Sequence, residues 1–402
     1  MTTELAENID WVGYVDWDVR DFHSFDTHHG ATYNAYLIRD EKTAVIDAVK
    51  APYVSNLLHN IADKTDLAKV DYVVCNHAEP DHAGGLGALL ANLPNATLLC
   101  NAKCKDALGG YFDTANWKIQ IVSPHDKIPL GRKTLSFLDT PMVHWPESMF
   151  TYIPEDQILF SMDAFGQHLA TSERFDDQYD LHSILVEAKT YYANIVTPYG
   201  KQVQAVLKAA ENIPIKMIAP SHGLIWRRYV STIIGEYQNW AAGKYAPKLL
   251  ILFDSMWGST AQMADAVMRG ATLESDKVSV QFLHVRKNTL TRIALEMLDA
   301  SAVALGSPTM NMQMMPFLSG VLTYIRGLKC IPKTAMAFGS HGWAGAGSKH
   351  LDMWIEETGW LRLMPPIQSK FKPSCDILDK CEEAGRKLAQ AALNAVSKAA
   401  ES

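Results

Sequence analysis

The sequence predicts an α+β sandwich of two sheets covered by helices, an αββα arrangement, followed by an α/β doubly wound domain around a five-stranded parallel sheet. Three observations lead there. At 402 residues the chain exceeds the roughly 250 to 300 residues at which a single core stops growing, so two domains are expected. Up to about residue 245 the strand signals are short, alternating and punctuated by turns. After Gly243 longer apolar strands alternate with amphipathic helices, the pattern of a parallel sheet covered on both faces. The break falls in residues 240–247, giving expected domains of 1–246 and 247–402.

In chain order, MTTELAENIDWVGYVDWDVR carries several acids and no basic start followed by an apolar core, so it does not read as a secretory signal. With no apolar run long enough to cross a bilayer, a cytoplasmic chain is expected. TYNAYLIRDEKTAVID, residues 32–47, reads as a hairpin, and TLSFLDTP and MFTYIPEDQILFS read as further strands. Helical stretches at 53–61 and 201–213 lie between groups of strands. KYAPKLLILFDSMWGSTAQMADAV is a buried strand, a loop and a helix, a unit that returns at VSVQFLHV, ASAVALGSPTM and KTAMAFGSHGW without a short fixed period.

Composition excludes some classes of function. A net charge of −7 with no cluster of Lys and Arg disfavours nucleic acid as a partner. Six scattered cysteines with no CxxC pair argue against a disulfide framework, a zinc ribbon and an iron–sulfur cluster, leaving buried free thiols as the expectation.

The strand VDYVVC leads into CNHAEPDHAGG, which packs His77, Glu79, Asp81 and His82 into six positions. In an extended segment the alternation of His77, Glu79 and Asp81 would throw these donors to one side, and Gly84 and Gly85 would let the backbone turn sharply away. Three later strand ends also finish in a donor: His144 in PMVHWPE, Asp163 in LFSMDAFG and His222 in MIAPSHG. A lone His or Asp after a strand is more often a cap or a satisfied core group. Four donors in one loop plus three at strand ends point to metal.

HxExDH followed by His144, Asp163 and His222 resembles the metallo-β-lactamase fold in its iron-binding form, that of the flavodiiron proteins or A-type flavoproteins, among them the rubredoxin:oxygen oxidoreductases. The resemblance covers nearly the whole chain, because those proteins also carry a C-terminal flavodoxin-like domain. It implies two irons per chain, one held by His77, Glu79 and His144, the other by Asp81, His82 and His222, with Asp163 bridging. Zinc hydrolases of this superfamily usually carry HxHxDH; Glu79 exchanges an imidazole for a hard anionic oxygen, which suits iron and redox chemistry.

In the second half, SMWGST places Ser255, Met256, Trp257, Gly258, Ser259 and Thr260 between a strand and a helix, where backbone amides and a helix N-terminus form an anion site. Ser307, Pro308, Thr309, Met310 and Asn311 in one later loop, and Ser340, His341, Gly342, Trp343 and Gly345 in another, resemble the ring-flanking loops of flavodoxins. FMN is therefore the implied cofactor; no GxGxxG follows the first strand of this half, which disfavours FAD and NAD. The Met cluster at Met310, Met312, Met314 and Met315 reads equally as core filler or as adaptable packing beside the flavin or at a subunit contact.

The resemblance implies reduction of dioxygen to water, of nitric oxide to nitrous oxide, or both. No CxxC pair follows the flavin loops, so electrons are expected from a separate donor such as rubredoxin. It also implies a head-to-tail homodimer, or a dimer of such dimers, that sets the FMN of one chain beside the irons of the other. The alternative is a zinc-dependent hydrolase of the metallo-β-lactamase fold with a flavodoxin-like appendage, which Glu79 opposes; a third reading, an electron carrier or sensor with a vestigial metal site, is opposed by the complete donor set.

Overall fold

The computed structural model describes residues 2–401 and divides into two compact units, Met1–Tyr192 with Tyr199–Gln238, and Ala193–Pro198 with Asn239–Ser402. The first unit contains a seven-stranded sheet in the order Thr3–Ala6, Ile9–Trp11, Tyr36–Arg39, Thr43–Ile46, Val70–Val74, Thr97–Cys100 and Ile119–Ile121. Its second sheet runs Lys127–Pro129, Thr134–Asp139, Met149–Ile153, Ile158–Met162 and Met217–Pro220. The hairpin expected at 32–47 is shorter than its pattern. Tyr36 pairs with Ile46 and Arg39 with Thr43, whereas Ala31–Tyr33 turns away to pair with Tyr14–Asp16.

Alternation along these strands supplies two cores at once. Leu37, Val45 and Val73 face the helices Val54–Ala62, Leu86–Asn92 and Ala102–Tyr111, while Tyr36, Ile38, Ile46 and Val74 meet Phe137, Ile153 and Phe160 of the other sheet. Each such aliphatic side chain contributes about 1.5 to 3 kcal/mol by leaving water, so a one-residue slip of register, which would exchange the two faces, is strongly disfavoured. Strands Thr43–Ile46, Val70–Val74, Ile158–Met162 and Met217–Pro220 lead directly into Asp47, the 75–83 loop, Asp163 and His222. Chemistry in this unit is carried at strand ends.

The second unit has parallel strands in the order Ser279–His284, Ala246–Phe253, Ala300–Gly306 and Thr334–His341. The fifth position is divided, Leu361–Arg362 and Ile367–Lys370 both pairing with the edge of Thr334–His341. Leu250, Leu252, Val303 and Leu305 face helices Leu290–Asp299, Pro316–Leu328 and Ala346–Glu357, and Leu249, Ile251, Ala302 and Ala304 face helices Ser259–Glu274 and Cys375–Glu401. Continuous apolar strands buried on both faces account for the change of rhythm after Gly243. All six cysteines are free; Cys75, Cys100, Cys104 and Cys381 are buried, Cys330 is half-buried, and Cys375, against expectation, is exposed at the start of its helix. Among the described residues no helix is long and apolar enough to cross a membrane.

Lys333 is buried at the start of its strand, where Nζ donates to the Ala300 carbonyl at 2.6 Å. Burial pulls its pKa down to about 8. Below that pH both folded and unfolded chains carry the ammonium, and the cost of burying it is fully present. As pH rises from about 8 to the ordinary lysine range near 10.4, the unfolded state binds more protons and this cost is relieved. Wild-type thermal stability is therefore expected to gain on Lys333→Met across that window; parallel melting curves would show that Lys333 is not buried as an ammonium.

Candidate functional site

The sheet holds the donor loop up to Cys75, whose N–H still donates to the Leu99 carbonyl at 2.9 Å. Asn76 then pins it: its backbone N–H and Nδ2 donate to the buried Asp47 carboxylate at 2.7 and 2.9 Å, and its Oδ1 accepts from Thr151 Oγ1 at 2.7 Å. These bonds tie the loop to strands of both sheets, so the donors beyond it are held by rigid elements.

Those donors do not lie on an extended segment. Glu79 caps, and Pro80 opens, a single helical turn, Pro80–Ala83, a position where proline's fixed φ is preorganised for helix. Successive side chains of a helix rotate by about 100°, not 180°, and this lets the adjacent Asp81 and His82 both face inward. Gly84 and Gly85 are also used differently from the expected sharp turn. Both have ordinary negative φ; a Cβ on Gly84 would lie 2.2 Å from the Pro80 carbonyl oxygen, and one on Gly85 2.7 Å from that of Val49. Close backbone approach excludes a side chain at either place.

The fold brings all seven predicted donors together. His77 Nε2 and His144 Nε2 lie 3.1 and 3.2 Å from Glu79 Oε2, and 3.2 and 3.3 Å from Asp163 Oδ2. On the other side His82 Nε2 and His222 Nε2 lie 3.3 and 3.0 Å from Asp81 Oδ2, and 2.9 and 3.4 Å from Asp163 Oδ1. The two oxygens of Asp163 thus serve opposite halves. All seven residues are buried or nearly so.

This cage fits cations better than it fits itself. His77 Nδ1 bonds Glu147 Oε1 at 2.8 Å, and His222 Nδ1 bonds the Thr32 carbonyl at 2.6 Å. A carbonyl only accepts, so Nδ1 of His222 carries the proton and a neutral ring turns a bare Nε2 lone pair toward anionic oxygens, an arrangement that a metal between them resolves. Asp81 Oδ1, both Asp163 oxygens, His82 Nε2 and His222 Nε2 have no conventional hydrogen-bond partner in the buried site, a cost of several kcal/mol if left uncompensated. With no cation the rings would have to supply the positive charge. Burial pulls His144 and His222 down, but bonding to Asp163, with Glu79 or Asp81, outweighs it and pushes them up to about 9 and about 10. Three carboxylates and four imidazoles divided about one shared carboxylate suit two hard or borderline metal ions.

Sequence reasoning missed several neighbours. Glu147, which fixes the ring of His77, stands three residues after His144 in PMVHWPE and was legible there as an extra carboxylate. Thr32 acts through its backbone and left no signal. His23, whose Nε2 lies 2.9 Å from Glu79 Oε1, sits in a stretch without a motif. Phe22, His168 and Tyr191 pack their rings against His222 at 5.9, 5.3 and 6.0 Å and form an aromatic wall on that side.

The second unit carries a cavity of about 580 Å³ at the carboxyl ends of its strands, lined by Met256, Trp257 and Ser259, by Pro308, Thr309, Asn311 and Met312, by Ser340, His341, Gly342, Trp343 and Ala344, and by Phe371 and Lys372. Ala344, Phe371 and Lys372 were not anticipated. The last two come directly after Ile367–Lys370, the second part of the divided edge position. The remaining predicted residues stand behind or beside the wall. Thr260 Oγ1 bonds Ser340 Oγ at 2.8 Å, Ser307 Oγ accepts from Met315 N–H at 2.9 Å, Met310 closes a turn with Gln313, and Gly345 caps the helix Ala346–Glu357. Ser255 Oγ is buried without a partner.

Gly258 adopts φ +86° at the N-terminus of Ser259–Glu274, and a Cβ there would meet nothing within 4 Å. Left-handed backbone, open space and a helix N-terminus together form a cradle for an anion such as a phosphate. Trp257 and Trp343, 93 and 91 % exposed, flank the cavity with indole faces available to a planar ring. The residues present therefore fit FMN.

A chain with one cage suited to a pair of cations and one cavity suited to a phosphate-bearing planar ring falls in the class of metal-dependent flavoproteins. Residues 31–223 match the ODP family β-lactamase model, and residues 251–385 match the flavodoxin model. The chain is 40% identical to the nitric oxide reductase of Moorella thermoacetica over 96% of its own length and 97% of that relative. Two solved structures superpose with a TM-score of 0.96 each: the flavodiiron protein of Giardia intestinalis, 36% identical over 99% of this chain and 98% of that one, and the rubredoxin oxygen:oxidoreductase of Desulfovibrio gigas, 34% identical over 99% and 100%. The chain belongs to the flavodiiron protein family.

Proposed function

We propose that this protein reduces dioxygen to water, nitric oxide to nitrous oxide, or both, at a non-haem diiron site fed with electrons through FMN from an external donor such as rubredoxin. The observation that carries this is the cage: Glu79 stands where a zinc hydrolase of this fold has a histidine, and Asp163 offers one oxygen to each half. His77, Glu79 and His144 would hold one iron and Asp81, His82 and His222 the other, with Asp163 between them. When bound, the irons offer open positions to a small oxidant, and FMN hands on electrons one or two at a time.

The chain's own residues prepare that site. Glu147 and the Thr32 carbonyl hold His77 and His222 in the tautomer whose Nε2 is free. Phe22, His168 and Tyr191 keep bulk water from one side, which strengthens every electrostatic interaction within. In the second unit, the amides at the start of Ser259–Glu274 would hold the FMN phosphate, and the exposed indoles of Trp257 and Trp343 would offer apolar faces to its ring.

A head-to-tail homodimer, or a dimer of such dimers, placing the FMN of one chain beside the irons of its partner completes the proposal, together with a cytoplasmic location. The exposed Trp257, Trp343 and Met312 at the cavity mouth support an interface there, and two-fold symmetry would make two equivalent paths.

Protein isolated from its native host is expected to contain two irons and one FMN per chain and, once reduced without air, to consume dioxygen or nitric oxide. Two zinc ions with ester or amide hydrolysis, and no consumption of either gas, would replace this function with the hydrolase reading.

A further inference from the structure

The phosphate cradle of the second unit begins with a charge that works against it. Strand Ala246–Phe253 runs into Asp254, four residues before Gly258, and the Asp254 side chain is fully buried. Its place is fixed, since Asp254 N–H donates to the Gly306 carbonyl at 2.9 Å and Ser255 N–H donates to Asp254 Oδ1 at 2.7 Å. Asp254 Oδ2 has no conventional hydrogen-bond partner. A buried carboxylate at the root of a loop that receives a phosphate disfavours that phosphate, because like charges repel more strongly away from water.

Arg286 meets this carboxylate and the loop backbone at once. It stands in the short 3₁₀ turn Val285–Lys287, directly after the neighbouring parallel strand Ser279–His284. The turn is set by its cap: Arg286 N–H donates to His284 Nδ1 at 3.3 Å, and Asn288 Nδ2 donates to the His284 carbonyl at 2.9 Å. From there the side chain crosses to the adjacent strand end, where Nε donates to Asp254 Oδ1 at 2.8 Å and Nη2 donates to the Ser255 carbonyl. A planar guanidinium fork suits two such acceptors side by side better than the point charge of an ammonium does. His284 Nε2 also lies 3.7 Å from Asp254 Oδ1, but burial holds that ring below its ordinary pKa. The guanidinium therefore supplies the balancing charge.

The loop is tied at both ends, by Arg286 at Ser255 and by the bond from Thr260 Oγ1 to Ser340 Oγ at 2.8 Å. Between them Ser255 Oγ is buried without a partner, and Gly258 opens the helix Ser259–Glu274 in left-handed backbone. We propose that Arg286 is a positioning residue for FMN: it neutralises Asp254 and fixes Ser255, so that the Ser255 hydroxyl and the first amides of the helix stand ready for the phosphate. This rests on the FMN reading of the cavity.

The test titrates full-length protein freed of flavin with FMN and with riboflavin, which lacks the phosphate, and follows flavin fluorescence. Wild type is expected to bind FMN the more tightly. In Arg286→Met the FMN affinity is expected to fall about 10- to 100-fold, as for a buried charge that loses its partner, while riboflavin affinity stays within about threefold of wild type. Arg286→Lys should recover part of the loss, since it keeps the charge without the fork. Adding Asp254→Asn to Arg286→Met should also recover part of it, because no bare carboxylate then remains at the root of the loop. Unchanged FMN affinity in Arg286→Met, or an equal fall for FMN and riboflavin, would overturn the role of Arg286 alone. A double variant no better than Arg286→Met would remove the charge of Asp254 from the account. Wild-type protein that binds riboflavin as tightly as FMN would overturn both this inference and the phosphate cradle on which it rests.

Discussion

Asp163→Asn is expected to lose the metal pair while keeping FMN. Both Asp163 oxygens are buried, neither has a conventional hydrogen-bond partner, and each faces two imidazole nitrogens of a different half of the cage. An amide offers one oxygen and, on the other side, an NH₂ group, which cannot bind a cation and presents hydrogens to the space the second ion needs. Residues that merely orient metal ligands cost 10- to 100-fold in affinity or activity when changed. A carboxylate shared by both halves should cost about 100-fold or more. The apoprotein should remain folded, because the two cores that flank the cage are independent of it. Elemental analysis beside flavin absorbance decides the matter, and two irons per chain with full turnover would remove Asp163 from the bridging role.

Gly258→Val should have the converse effect, releasing FMN and sparing the irons. At φ +86° a β-branched residue is strained by about 1 to 3 kcal/mol, and its branches would fill the open space against the first amides of Ser259–Glu274. Strain alone corresponds to about a 10- to 100-fold weaker complex if relief requires the loop to leave its binding geometry. No neighbouring atom lies within 4 Å of the added Cβ, so the fold itself should survive. Fluorescence titration of apoprotein with FMN measures the change, and an unaltered dissociation constant would place the phosphate elsewhere. The two variants together test the proposed dimer. Verified mixed dimers of an Asp163→Asn chain and a Gly258→Val chain should recover one working path, and activity confined to unmixed wild-type chains would mean that transfer stays within one subunit.

The seven donors and the three loops at the cavity of the second unit were legible because each stands at the end of a strand that announces itself. VDYVVC, LSFLD, ILFSM and KLLILF are short apolar or alternating runs, and the residues after each of them are of loop-forming types. Glu79 was legible as chemistry, because the exchange of an imidazole for a carboxylate alters the choice of metal wherever the loop is placed.

Local order was therefore readable along the chain: the periodicity of strands and helices, the residue types at their ends, and the division into two kinds of sheet. The groups that finish the site depended on how the chain folds back on itself. Glu147 reaches His77 across 70 residues and the Thr32 carbonyl reaches His222 across 190; both contacts depend on strand register and on how the sheets face each other. The helical turn at Pro80–Ala83 that directs Asp81 and His82 inward, and the arrival of Phe371 and Lys372 at the cavity of the second unit, were decided in the same way. Periodicity is set between near neighbours along the chain. The partner of a buried polar group is set by three-dimensional packing, in which positions far apart in sequence must satisfy one another's hydrogen bonds and charges.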